Sequence, residues 1–257
     1  MNDDRFARTA EFFGGDGFDR IRNSRVAVIG LGGVGSHAAV CLARNGVGEL
    51  LLVDCDRVTW SSLNRSAWAV PEDIGAWKAD SLAAFLVSSC PGTRTTAVRV
   101  FVDEASLPSL GLESLDHAVD AIDSLNPKVE LIRYCVEKGV PLVSSMGASC
   151  RIDPSAVRVG DISVTRHCPL ARKVRQYLRR RGVTGGVTCV YSEEAPPVEA
   201  GPPDDSEWVE RRGRARRRLP GAGALPGMFG YACAAVVLSR LACSRADREG
   251  DRTRHAP

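Results

Sequence analysis

Residues 25–56 read RVAVIGLGGVGSHAAVCLARNGVGELLLVDCD. Val26 to Ile29 form an apolar run with the character of a buried strand. The run breaks at Gly30-Leu31-Gly32-Gly33-Val34-Gly35-Ser36 and continues as a helix from His37 to Arg44. A second apolar strand, Leu50 to Val53, ends on Asp54, with Asp56 close behind. Strand, glycine turn, helix and strand, with an acid about twenty residues past the loop, form a dinucleotide-fold fingerprint. Gly30 and Gly32 let the backbone turn and approach phosphate without a Cβ in the way, and Gly35 permits close helix–strand packing. The N–H groups at the helix start attract an anion, and Asp54 stands where a ribose hydroxyl can be held. The expectation is an α/β, Rossmann-like doubly wound sheet, largely parallel.

The fingerprint alone serves NAD, FAD, S-adenosylmethionine and ATP, so the rest of the chain must choose. Its 257 residues can bury a full core, and 44% hydrophobic with 25% charged residues describes a soluble globular chain. A formal net charge of +3 implies no global attraction to nucleic acid, so any basic surface must be local. The N-terminal MNDDRFARTAEFFGG has no apolar core and does not read as a secretory signal. Nine scattered cysteines, with no CxxC, point to reduced cytoplasmic thiols and away from a zinc ribbon. The longest apolar run, Met228 to Leu238, is short for a bilayer span, so no membrane is expected.

Five parts are expected: a helical preamble (1–24), an adenylation-type domain with an antiparallel extension (25–192), and a flexible Pro/Arg-rich loop (193–225). A C-terminal helix packing on the domain (226–243) and a disordered tail (244–257) complete the chain. Arg5 and Arg8 of the preamble precede the glycine loop and could fold over phosphates, although solvated helix charges are the plainer reading. After the second strand come Ser62-Leu63-Asn64-Arg65-Ser66 and Gly75-Ala76-Trp77-Lys78-Ala79. Cations in such loops neutralise a triphosphate and its leaving pyrophosphate, which a dehydrogenase does not need. A third strand is expected over Arg94 to Val102. The buried run Leu115 to Ser124 presents Asp123 at its carboxyl end, where it could hold Mg2+ or cap the following helix. Cys150 to Thr165 alternates like antiparallel strands with Asp153-Pro154 as their turn. The helix that follows carries Arg172, Lys173, Arg175, Arg179, Arg180 and Arg181, either a solvated face or an RNA phosphate surface. Cys189 lies in a further strand, with a buried, inert thiol as the default.

Taken together, these residues resemble the ubiquitin-activating-enzyme-like adenylating family, the ThiF/MoeB/HesA group. The match runs in order through Gly30 to Ser36, Asp54, Arg65, Lys78 and Asp123. RFARTAEFFG, VDAIDSLNPK, and RIDPSAVRVGDISVTRHCPLARKVRQYLRRRGV with VTCVYSEE behind it are similar to the branch that dehydrates threonylcarbamoyladenosine in tRNA. The resemblance implies an ATP-dependent reaction. The threonylcarbamoyl carboxylate is adenylated with release of pyrophosphate, then cyclised with loss of AMP, a net loss of water. It implies ATP and Mg2+ as cofactors, with a monovalent cation as a further candidate, and modified tRNA and a homodimer as partners. By the same resemblance Arg8 and Lys78 hold phosphates, and Gly30, Gly32, Gly33, Gly35, Ser36, Asp54, Asp56 and Ser62 form the nucleotide site. Asp123 holds the metal, Arg65 is a finger reaching across the dimer, and Cys189 takes sulfur in a relay with an acceptor protein.

One loop departs from the pattern. The family's Asn-x-x-Arg-Gln is here Ser62-Leu63-Asn64-Arg65-Ser66, so each replaced amide removes a hydrogen bond of about 0.5–1.5 kcal/mol. Competing expectations are an adenylating enzyme for a ubiquitin-like sulfur carrier, or a degenerate nucleotide-binding partner in sulfur relay. An NAD-dependent oxidoreductase would leave Arg65, Lys78 and Asp123 unexplained.

Overall fold

The computed structural model describes residues 4–195, 203–208, 215–217 and 219–243, without the side chains of 203–208 and 215–217. Helices α1 (Ala7–Phe13) and α2 (Gly15–Arg22) lead into β1 (Arg25–Ile29), α3 (Gly35–Arg44) and β2 (Glu49–Val53). Then come α4 (Lys78–Ser89), β3 (Arg94–Val98), β4 (His117–Asp120), α5 (Leu125–Lys138) and β5 (Leu142–Ser145). The second half adds β6 (Val157–Asp161), α6 (Pro169–Arg179), β7 (Thr188–Ser192) and α7 (Ala224–Ala242). Before α7, β8 (Pro203–Trp208) and β9 (Ala215–Arg217) pair as an antiparallel ladder. They fall within the stretch expected as a loop; the rest of 196–218 and the tail from 244 lie outside the described residues.

The main sheet has seven strands in the order β3-β2-β1-β4-β5-β7-β6. All pairs are parallel except β6 with β7. The chain builds outward from β1 through β2 and β3, then returns to the other side of β1 with β4. The carboxyl ends of β1 and β4 therefore flank the topological switch point, where open α/β sheets bind ligands.

The strands are apolar on both faces because helices cover both. Val26, Val28, Leu50 and Leu52 face a layer of α3, α4 and α7, while Ala27, Ile29, Ala118 and Val53 face α5 and α6. Helix α7 is 19 residues long and apolar enough by length and composition to cross a membrane, unlike the short run expected. Its Phe229, Cys233, Val237 and Leu241 are instead buried against α3 and the sheet. Close packing needs Gly230, where a Cβ would stand 2.4 Å from the Val34 carbonyl oxygen. α7 thus presses directly on the first turn of α3.

Three element boundaries differ from expectation. β3 ends at Val98, not Val102, and is a half-exposed edge strand. β4 ends at Asp120, which puts Asp123 on the loop beyond it. Cys150 to Thr165 forms one strand rather than a hairpin: Asp153 caps a 3-10 turn by accepting the Ser155 N–H, and β6 pairs with the distant β7. The partner that completes its ladder lies beyond α6.

Candidate nucleotide site

The glycine loop closes on the end of the sheet through contacts only glycine allows. Gly30 has φ +87°, and a Cβ there would lie 2.8 Å from the carbonyl of Ala121 in the loop after β4. At Gly35 it would lie 1.8 Å from the Gly30 carbonyl oxygen. A Cβ on Gly32, by contrast, would meet nothing within 4 Å. The loop is jammed against protein at both ends and open in the middle, where a phosphate would approach. Ser36 is buried and turns its hydroxyl back onto the Gly32 carbonyl at 2.8 Å, so it shapes the turn rather than facing outward.

Asp54 ties this loop to the second strand. Its Oδ2 accepts the Leu31 N–H at 2.6 Å and its Oδ1 the Asp56 N–H at 2.7 Å. An ionised carboxylate offers about four acceptor sites, so these two bonds leave capacity for a ribose hydroxyl. Burial raises the Asp54 pKa, Lys78 opposes that rise, and the neighbouring Asp56 charge adds to it.

Lys78 is delivered by a short piece of antiparallel pairing. Val58 donates to Ala76 at 2.8 Å, Lys78 N–H to the Asp56 carbonyl at 3.0 Å, and the Arg57 guanidinium stacks 4.0 Å over the Trp77 ring. The lysine opens α4 with its Nζ 3.1 Å from Asp56 Oδ2. Burial works to depress the ammonium's pKa, but Asp54, Asp56 and Asp123 outweigh it and hold the value above its ordinary one. Lys78 therefore stays cationic at neutral pH. Asp123, exposed on the loop after β4, is close enough for its charge to act on this lysine. Its Oδ1 accepts the Ser124 hydroxyl at 3.2 Å, and Ser124, not Asp123, stands at the N-cap of α5.

Arg65 also reaches the loop, within its own chain. A Cβ on Gly33 would lie 3.1 Å from both Cβ and Cδ of Arg65, and the Arg65 guanidinium donates to Asn64 Oδ1 at 3.2 Å and to the Ser61 carbonyl. The arginine's stem thus lies over its own glycine loop. Ser62 is buried and accepts the Thr59 N–H at 3.2 Å in a capping box on its own 3-10 turn. The position of the family's asparagine is spent on local structure.

Two expected residues are not gathered here. Arg8 is exposed on α1, whose Thr9 hydroxyl donates to Asn45 at the far end of α3 at 3.2 Å. α3 has 10 residues, which separates Arg8 from the glycine loop by about 15 Å of helix. Cys189 lies three strands from β1, fully buried, its thiol donating to the Val187 carbonyl at 3.5 Å. Burial raises its pKa far above the usual thiol value, which suits packing and not nucleophilic sulfur chemistry.

The structure also shows a corner that spacing does not flag. Lys128 and Asp120 are wholly buried and paired at 2.6 Å. Lys128 Nζ further donates to the Ser145 carbonyl at 2.9 Å, Ser144 Oγ donates to Asp120 Oδ2 at 2.6 Å, and Asp120 Oδ1 accepts the Ile122 N–H at 3.0 Å. This network fixes the loop that meets Gly30 and carries Asp123. A lysine eight residues after a strand-end aspartate is the available signal, and by itself it reads as a surface charge.

As to a metal, Asp54, Cys55 and Asp56 bring three potential ligand atoms within 4.8 Å of one another. A thiol is a poor partner for Mg2+, Asp54 already accepts two main-chain N–H groups, and Asp56 already holds Lys78. Asp123 is the solvent-facing carboxylate of the site and has the hard oxygen donors that Mg2+ requires.

The ThiF family pattern matches residues 6–252. The tRNA threonylcarbamoyladenosine dehydratase of Bacillus subtilis (strain 168) is 38% identical over 194 residues, 76% of each chain. The crystal structure of the E. coli tRNA N6-threonylcarbamoyladenosine dehydratase, TcdA, in complex with ATP is similar at TM-score 0.80 and 30% identity, covering 98% of this chain and 97% of that one. The molybdopterin-synthase adenylyltransferase of E. coli (strain K12) is 36% identical over 138 residues, only 54% of each chain.

Proposed function

The chain belongs to the ThiF family, and from that premise we propose that it is an ATP-dependent tRNA threonylcarbamoyladenosine dehydratase. The observation that carries this reading is the extent of the likeness. It covers the nucleotide half, shared with sulfur-carrier adenylation, and continues through β6, α6 and β7 at TM-score 0.80.

The chemistry follows from the site. The triphosphate lies on the open face at Gly32, with α3's N-terminal N–H groups and the Lys78 ammonium opposing its charge. Asp54 accepts from the ribose. The carboxylate of the threonylcarbamoyl side chain attacks the α-phosphorus, and pyrophosphate leaves with its charge met by Lys78 and Arg65. The side chain's own carbamoyl nitrogen or oxygen then attacks the activated carbonyl and expels AMP, so the nucleoside loses one water. Asp123 would hold Mg2+, which when bound neutralises phosphate charge. Asp54, Lys78 and Arg65 are already held by hydrogen bonds before substrate arrives, and preorganisation is where electrostatic catalysis gains most.

Arg8, at the far end of its own sheet, meets phosphates only when a second copy of the chain supplies it, so its role goes with a homodimer. The assignment is cytoplasmic, in keeping with a tRNA substrate. Cys189 takes no part, and a sulfur-relay partner would call for an accessible thiol.

The test is AMP formation from ATP and Mg2+, with and without tRNA carrying threonylcarbamoyladenosine, followed by mass analysis of the digested tRNA. The expected result is AMP that depends on modified tRNA together with a nucleoside lighter by one water. AMP formation driven equally well by a sulfur-carrier protein's C-terminus would overturn the assignment.

A further inference from the structure

Helix α6 concentrates cations that nothing within the described residues neutralises. Arg172, Lys173, Arg179 and Arg180 are exposed, and among the described residues no carboxylate lies within ion-pair distance of any of them. Elsewhere the arginines are mostly spent: Arg25 and Arg94 on Glu49, Arg99 on Asp80, Arg133 on three glutamates and Arg181 on Glu130. Arg175, on the same helix, is committed to the Thr165 carbonyl at 2.9 Å and buttresses the preceding turn. Like charges three and four residues apart destabilise a helix, and here the nine residues from 172 to 180 hold four exposed cations without a compensating carboxylate among the described residues. The helix stays folded because Ala171, Val174 and Leu178 are buried on its inner face.

The placement of the helix matters as much as its charge. Arg151, itself buried, donates to the Gly147 carbonyl at 2.8 Å and to the His167 carbonyl at 2.9 Å. That clamp fixes the approach to α6 beside Gly147, in the loop after β5 at the carboxyl edge of the sheet. On the same edge Asp123 stands one strand away, after β4, and the glycine loop two strands away, after β1. Arg172, Lys173, Gln176, Arg179 and Arg180 line a surface concavity of about 560 Å³ that runs down from this edge. In a chain with a formal net charge of only +3, this is a local field of one sign.

From this we infer that the exposed face of α6 is a docking surface for the ribose–phosphate backbone of the tRNA, holding it while the modified nucleoside enters the glycine-loop edge. The inference rests on the proposed dehydratase reading for the identity of the RNA, but not for the existence of the surface. Arginine and lysine side chains that contact phosphate bind without reading sequence, which suits an enzyme whose target is defined by a modification. The interaction displaces condensed counterions and is steeply salt-dependent.

The test compares the full-length wild type with R172Q/K173Q/R179Q, whose exposed glutamines keep helix propensity and the fold. A charge-matched control, R44Q/R94Q/K138Q, removes three exposed cations at the amino edge of the sheet. Two quantities are read: the Kd for bulk tRNA as a function of salt, and AMP formation with modified tRNA. The α6 variant is expected to bind tRNA at least about tenfold more weakly at 0.15 M salt, with its log–log salt slope reduced by about 2–3. Its KM for ATP and its Tm stay at wild-type values, and the control keeps both affinity and slope. An α6 variant with wild-type affinity and slope overturns the inference and assigns the face to another partner. A wild type that binds tRNA through α6 but turns over no modified tRNA leaves this surface standing and removes the dehydratase reading instead.

Discussion

Lys78 with Asp56 and Lys128 with Asp120 are both lysine–aspartate pairs at the carboxyl edge of one sheet, at 3.1 and 2.6 Å. Their surroundings make them opposite devices. Lys78 and Asp56 are 12% and 35% exposed, beside a loop whose central glycine faces open space. Lys128 and Asp120 are 0% exposed, with Ser144, Ser145 and the Ile122 N–H around them. A partly open pair can exchange its partner for a phosphate at little cost. A sealed pair cannot, and serves instead to hold the backbone on which the open pair's neighbour Asp123 rides. The residue pairing alone does not distinguish ligand-binding chemistry from structural support. Solvent access does.

The largest effect should come from breaking the sealed pair. Lys128→Met leaves Asp120 buried without its cation and should cost about 3–5 kcal/mol in urea unfolding. Adding Asp120→Leu should recover a substantial part, because removing both charges removes the unpaired one. If Lys128→Met unfolds like wild type, the pair does not support the loop and the contrast fails. Lys78→Ala should do the reverse: near wild-type stability, with AMP formation down about 100–1000-fold, the range for removing one preorganised electrostatic group. The raised lysine pKa adds a pH expectation. A pair whose lysine sits above 10.5 contributes its full stability below 10.5 and loses it only as pH climbs through the raised value. The stability difference between wild type and Lys78→Met should therefore be flat from pH 7 to 9. A slope in that window would mean the ammonium is not held as described.

A smaller effect sharpens the place of Arg8. Mixing separately inactive Arg8→Ala and Lys78→Ala chains should restore about a quarter of wild-type AMP formation, since half of the symmetric dimers then carry one intact site. No recovery on mixing would leave Arg8 as the solvated surface charge its exposure suggests. The smallest effect concerns Ser62. Ser62→Ala should cost about 1 kcal/mol of stability through its lost cap and change AMP formation by no more than about threefold. A collapse of activity at unchanged stability would move Ser62 from the 3-10 turn to the nucleotide.

What sequence spacing conveys reliably here is local. The strand–loop–helix–strand of residues 25–53, the glycines and the acid that follows all depend on interactions within a few residues, so their pattern survives in one dimension. The placement of Lys78 is nearly as local, since residues 56–58 pair with 75–78. The basic face of α6 is legible too, because helical spacing separates buried Val174 and Leu178 from exposed Arg172 and Arg179.

The tertiary structure alone decided the rest. Nothing near Lys128 in the chain shows that β5 will supply Ser144 and Ser145 to enclose it. Nothing near Arg8 shows that α1 packs at the end of the sheet remote from the glycine loop. β6 finds its partner only after α6 has intervened, and Cys189 is buried only because β5 and β6 flank it. The reason is common to all four. Conformation is set largely by neighbours along the chain, whereas desolvation, ion pairing and thiol reactivity depend on segments that meet only after folding.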